Sequence, residues 1–311
     1  MTPDEARDEI IKAVRVSRAD IVSAKGFLAD AGGGRIDTQA QMQAWAQVVS
    51  PGFSRDLYLD RSDTEGQVAT SARGVMAHLA LGAAAWELIY AGVVFQAGTH
   101  ASWQPQFTWR TSHGGGGLDF RGRLEMVYPE SLLRPEWHQV DGNLLDADLY
   151  LKRLSAGALH PGVEEAIRLS LDCFRRDLFL PALAMLGAAS EGAWVETANA
   201  LARCHPSDPR ASRLIGLLND SQTSVRSKIG KTCELYDQST LYESTYAASG
   251  VDNRRLLQVA EWSDVVREAR NVLHWGTTSI VPNTYEKVAI LLMAATSELS
   301  ALHEVKKAAA N

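Results

Sequence analysis

Apolar positions recur with helical spacing over most of the chain. Over residues 3–25 they place Ile10, Ile11, Val14, Ile21 and Val22 near one face, which predicts a first helix. AGGGRIDT (31–38) breaks it, TQAQMQAWAQVV (38–49) predicts a short helix, and SPGFS (50–54) ends that one. DRSDTEGQ (60–67) is polar. GVMAHLALGAAAWELIYAGVVF (74–95) reads as a core helix running into a strand, because His78 and Glu87 interrupt it. QFTWRT (106–111) alternates as a strand does. HGGGG (113–117) reads as a tight mobile tip, and LDFRGRLEMVY (118–128) as the start of another strand. YPESLLRPEWHQVDG (128–142) is rich in turn formers and predicts a connection.

From Asp146 onward the pattern is helical almost throughout. DADLYLKRL (146–154) is amphipathic. Residues 161–177 open with Pro161, a favoured first helical residue. Residues 180–204 follow after so short a break that the two helices are expected to be antiparallel neighbours. Residues 207–235 predict one long helix capped by Ser207 or Asp208, and 236–255 a polar, irregular stretch. A helix over about 256–275 is ended by Gly276 and Pro282. The last, 283–310, is capped by Asn283 with Glu286 at capping-box spacing.

Composition narrows the class. With 311 residues, 46% hydrophobic and 22% charged, the chain has material for two domains with sizeable cores. The expected division is residues 1–140 and 146–311. No apolar run approaches the roughly 20 residues of a membrane span, and MTPDEARDEI lacks the order of a signal peptide. Three widely spaced cysteines (Cys173, Cys204, Cys233) without C-x-x-C argue against a disulfide framework or a zinc site. A reducing, cytoplasmic setting without membrane contact fits. The formal charge of −6 lies in residues 1–150, with 13 Lys/Arg against 19 Asp/Glu; the remainder holds 18 of each. Neither half has a broad basic footprint, so nucleic-acid contact has to come from a local patch.

Chemistry concentrates in REARNVLHWG (267–276). On an ideal helix Trp262, Val265, Val266, Ala269 and Leu273 make the core face, and Arg267, Arg270, Asn271 and His274 an adjacent stripe. A solvated face is usually a mixture of Glu, Lys and Gln; this one is cationic and ends in a histidine. The apolar 180–204 helix carries Glu191 near Ala184, Gly187, Ala188 and Val195, small residues that permit close helix approach. A carboxylate there requires a cation, and Arg267 or Arg270 is the candidate. A fold-stabilising ion pair and a catalytic arrangement both satisfy that pattern. Other signatures are missing: HGGGG lacks the Lys-Ser/Thr of a phosphate loop, and there is no H-x-x-x-H, H-E-x-x-H or G-x-S-x-G. His78, His100, His138, His160, His205 and His303 are scattered. No cofactor or metal is expected.

Two resemblances follow. AAWELIYAGVVFQAG…QFTWRTSHGG, within residues 38–130, resembles the last helix and wing of a winged helix-turn-helix. That implies an α+β module for DNA contact, packing or dimerisation. LDCFRRDLFLPALAMLGAASEGAW together with REARNVLHWG, over about 146–308, resembles the HEPN superfamily. Its members are all-α bundles marked by an arginine, four to six residues and a histidine, often with a polar residue after the arginine. Many are metal-independent RNases, including toxins and antiviral defence effectors, and they commonly dimerise with the motifs facing. Carried over, His274 is the motif histidine. Arg267 has the right spacing but is followed by Glu268; Arg270 is closer than the pattern but is followed by Asn271. The expectation is therefore a mainly α chain, with an N-terminal winged-helix-like α+β module and a C-terminal HEPN-like helical bundle. Its function would be that of a bacterial homodimeric effector that cleaves or binds RNA. His274 would be the acid or base, Arg267 and Arg270 the phosphate clamps, and Glu191 and Asn271 the orienting groups. The alternative is a non-catalytic dimeric regulator whose winged helix meets DNA or a protein.

Overall fold

The structure is a computed structural model that describes residues 1–31, 34–134, 144, 146–154, 159–237, 239–271 and 283–310. Among them the chain is mainly helical, with two small three-stranded sheets. It divides into two compact units, Met1–Gly142 and Asn143–Asn311.

In the first unit the expected opening helix is two. α1 (Pro3–Ala13) ends where Val14 turns extended, and α2 (Arg18–Asp30) restarts at Ser17, whose side chain and that of Asp20 form a capping box. The local Ser-x-x-Asp signal outweighs the continuous apolar periodicity. β1 (Arg35–Asp37) leads into α3 (Thr38–Val49), which Asp37 caps at Ala40 N. β2 (Asp56–Tyr58) precedes α4 (Thr64–Tyr90), the central helix, which buries Val68, Val75, Leu81 and Leu88. Gly92, at φ 75°, turns the chain into β3 (Phe95–Trp103). β4 (Phe107–Thr111) is the expected strand. The glycine run is not a loose tip: Gly114–Leu118 is β5, paired antiparallel with β4 over its whole length. The following strand starts later than the alternation suggests. β6 (Met126–Leu133) occupies the first part of the expected connection, with the order β1-β6-β3 in its sheet. β2-β4-β5 form the other, with β2 and β4 parallel.

α4 passes so close to Phe53 that a side chain at Gly74 has no room. A Cβ there would lie 2.1 Å from the Phe53 ring. Phe53 cannot retreat freely, since it also packs on His78 and Phe107. Gly74→Ala is expected to destabilise this unit by about 1–3 kcal/mol, as overpacking does, read as a lower thermal midpoint.

His78, one turn on, is buried and stacked on Trp103 at 4.7 Å between ring centres. Its Nδ1 lies 2.8 Å from the Gly74 carbonyl, which fixes Nδ1 as the donor, and Nε2 is buried without a hydrogen bond among the described residues. Burial pushes its pKa below the ordinary value. The unfolded histidine takes a proton near pH 6.5 while the folded one resists it. Stability contributed by neutral His78 is thus complete above about pH 6.5 and falls on acidification towards the folded pKa. Unfolding midpoints measured between pH 7.5 and 5.5 should drop in the natural chain and drop less in His78→Leu.

The second unit is a helical bundle. α5 (Ala147–Arg153) is followed by α6 (Pro161–Phe174) and α7 (Phe179–Cys204). Asp177, at φ 56°, makes the short turn between these two. They run antiparallel: Ser170 Oγ donates to the Ala182 carbonyl at 2.7 Å, and a Cβ on Gly192 would meet Val163 at 2.9 Å. The expected long helix over 207–235 is α8 (Pro209–Asn219) and α9 (Val225–Tyr236). Asp220 accepts from Gln222 N and Thr223 Oγ1, and Ser224 caps α9, so side-chain capping again divides a periodic stretch. The polar stretch after it contains α10 (Ser239–Ser249), whose Tyr242 is fully buried and donates to the Leu201 carbonyl. α11 (Asn253–Asn271) and α12 (Tyr285–Ala310) complete the bundle. The cap of α12 is Thr284, whose Oγ1 accepts from Lys287 N; Asn283 instead donates to Ala269 O at 3.3 Å, tying the two helices.

α12 is the element that composition underrated. An 18-residue window of it, with mean hydropathy 1.4, is long and apolar enough to cross a membrane. More than half of that window is buried within the protein, where Leu292, Leu299 and Leu302 are inaccessible. It is the core helix of the bundle.

Candidate functional site

α7 and α11 lie side by side, antiparallel, and what fixes them is polar. Ser263 on α11 is buried between Ser190 and Trp194 of α7. Its hydroxyl donates to Val259 O at 2.8 Å, and accepts from Ser190 Oγ at 3.0 Å and Trp194 Nε1 at 2.9 Å. One donor and two lone pairs are then all used, so the cluster has a single satisfied arrangement. It locks the rotation of α11 against α7 and thereby aims the next two turns.

Those turns carry the arginines. Arg270 reaches across to α7, with Nη1 2.8 Å from Glu191 Oε1, both side chains about a quarter exposed. The approach is close but not aligned as a hydrogen bond, and Glu191 Oε1 has no hydrogen-bond donor among the described residues. It is an ion contact rather than a hydrogen bond. For partly covered pairs this attraction is worth about 1 kcal/mol. Of the small residues around Glu191, Gly187 matters most. The position of its absent Cβ is 3.4 Å from Arg270 Cδ and Nη1, so the arginine stem lies across the glycine. Ala188 and Val195 are exposed instead of forming a helix contact. Glu191 therefore stands at the rim of the α7–α11 seam.

Arg267 does not share that partner. Its Nη2 and Nε bind Asp264 Oδ1 on its own helix at 2.9 and 3.3 Å. Asp264 Oδ2 also lies 3.4 Å from Arg226 Nε on α9. Asn271 is half-buried at the end of α11. Lys287 Nζ donates to Asn283 Oδ1 at 3.1 Å beside that end. The helix face is otherwise as its periodicity requires, with Trp262, Val266 and Ala269 buried, except that Val265 is 48% exposed; Leu256, Val259 and Ser263 complete the inner face in its place. His274, Leu273, Gly276 and Pro282 lie outside the described residues.

Of the five residues singled out in the sequence, the structure thus brings Glu191 and Arg270 together and sets Arg267 beside Asp264. Asp264 and Arg226 were missed. Asp264 was readable, standing three residues before Arg267 at helix-pair spacing. Arg226 was not, since it arrives from another helix. No group of three or more metal-ligating side chains occurs among the described residues. Burial pushes the Cys233 thiol up to about 12, so it is not a thiolate at neutral pH.

No family model, no curated protein and no solved structure matches this chain.

Proposed function

We infer that the helical unit is a HEPN-like RNA site, and that the chain is a cytoplasmic effector which binds RNA and cleaves it without metal. The observation that carries this reading is the Glu191–Arg270 contact. It joins a carboxylate from the small-residue helix to the arginine four residues before His274, at a half-open position on one seam. Among the described residues Glu191 engages Nη1, and the Nε–Nη2 edge is the one that would meet phosphate oxygens. In this reading Arg270 is the motif arginine, Asn271 its polar neighbour, and His274 the group that moves the ribose 2′-OH proton. Arg267 and Arg226, already shared with Asp264, extend the positive surface without being primary clamps. A homodimer in which two such seams face each other would double the cationic charge around one RNA strand.

A second reading is favoured by the same ion pairs. Both arginines find carboxylates within the chain, as they would in a non-catalytic dimeric regulator. Its N-terminal winged-helix-like unit would then meet DNA or a protein. Binding to a 2′-O-methyl RNA, which cannot be cleaved, separates the two. The RNA reading expects Arg267→Ala/Arg270→Ala to weaken binding about tenfold at low salt, and the regulator reading expects no change.

A further inference from the structure

The first unit is acidic, with 13 Lys/Arg against 17 Asp/Glu in residues 1–142, yet it holds a basic groove. This groove, of about 640 Å³, is lined by Arg7, Lys12 and Arg15 from α1 and its end, and by Arg121 and Arg123 from the β5–β6 loop. Only Asp8 and Asp119 oppose those five cations in its lining, and Ile11 is its one apolar side chain.

The cations are placed, not scattered. α1 buries Ala6, Ile10 and Val14, which turns the Arg7–Ile11–Arg15 row outward. Arg15 is held by its guanidinium donating to Val14 O at 2.7 Å and Ile11 O at 3.3 Å. The loop is pinned from inside: Phe120 is buried against Phe107, and Leu124 packs on the same core. Between them Gly122 adopts φ 71°, and its N–H donates to Glu125 Oε1. Asp119 Oδ1 accepts from Arg121 N at 2.9 Å. Arg121 and Arg123 therefore project from a stapled turn whose backbone has little ordering entropy left to lose. The carboxylates are committed already: Asp119 to Arg121 at 2.8 Å, and Asp8 to Arg7 at 2.8 Å. Asp119 is accordingly held below the usual carboxylate range, mainly by its hydrogen bonds from Arg121.

Asp4 and Glu9 also pair with Arg7 at 2.9 Å and Lys12 at 3.5 Å, while Arg15 and Arg123 have no carboxylate partner among the described residues, so five cations against four carboxylates leave the groove a positive excess. We propose that this groove binds the phosphodiester backbone of a nucleic acid. Its lining has no aromatic ring on which a base could stack and consists mainly of cations, which suits contact with phosphates. This does not rest on the Glu191–Arg270 site and would hold if that site were purely structural.

The test is fluorescence anisotropy of the full chain with single-stranded RNA, duplex RNA and duplex DNA of equal length. It compares the natural protein with Arg121→Glu/Arg123→Glu and with Arg55→Glu/Arg73→Glu. The latter pair changes the charge equally but lies outside the groove lining and is exposed. Expected are a logarithmic salt slope of about −3, similar affinity across sequences, and a loss of about tenfold or more in the groove variant alone. That loss should persist when Arg267→Ala/Arg270→Ala is added. The strongest-binding arm identifies the nucleic acid that supplies the phosphates. Absence of binding to all three ligands, or equal losses in the two reversed-charge variants, would overturn the proposal.

Discussion

Arg270→Ala should lower metal-free RNA cleavage by about 10²–10³-fold, the usual cost of removing one donor to developing negative charge. Arg267→Ala should cost much less, because Arg267 is already bound to Asp264 through two nitrogens. Arg270→Lys keeps the charge but loses the planar fork, and should recover only part of the activity. Stability distinguishes a site from a strut. Removing Arg270 leaves Glu191 Oε1 without its cation, a penalty of about 1 kcal/mol. Glu191→Ala/Arg270→Ala should relieve that penalty and restore the melting temperature while cleavage stays lost. Recovery of cleavage along with stability would mean that the pair only supports the fold. Gly187→Leu offers an independent check. It removes no charge, yet its side chain occupies the path of the Arg270 stem, so it should lower cleavage by displacing the arginine.

The second large effect lies beneath the site. Trp194→Ala should destabilise the helical unit by about 3–5 kcal/mol, since it empties the volume of a 2% exposed indole. It also removes one of the two donors to Ser263. Ser263→Ala should cost about 1–3 kcal/mol, because it leaves the buried Trp194 Nε1 and Ser190 hydroxyl without their acceptor. Hydrogen exchange read by mass spectrometry on peptides from α7 and α11 measures both. Faster exchange in the two helices together is expected. A change confined to one of them would show that the serine–tryptophan cluster does not join them.

Much of the helical architecture was legible because apolar spacing reports burial directly. α3, α6, α7 and α11 fall where periodicity puts them to within a few residues. Each failure has its own physical cause. α1/α2 and α8/α9 were merged because apolar periodicity runs across both breaks, while the Ser17–Asp20 box and the Asp220–Ser224 caps act through single side chains. β5 was hidden because glycines carry no pattern; its pairing is dictated by β4 opposite. α10 was hidden because its inward tyrosines, Tyr242 buried and Tyr246 half-buried, are polar on a hydropathy scale, yet each places its hydroxyl on a backbone carbonyl. At the site, a carboxylate in an apolar helix predicted a cationic partner, and Arg270 supplies it. The choice between the two arginines depended on Asp264 and on the open path over Gly187, and both are matters of helix rotation. That rotation is set by Ser190, Trp194 and Ser263, three residues whose chemistry shows only once they meet.

The most direct test of the account is incubation of the natural chain with RNA in EDTA, followed by analysis of the product ends. Fragments ending in 2′,3′-cyclic phosphate are expected from the natural chain and should be lost in both His274→Ala and Arg270→Ala. No fragments from the natural chain over a broad panel of RNAs, or equal cleavage by folded variants, would contradict it.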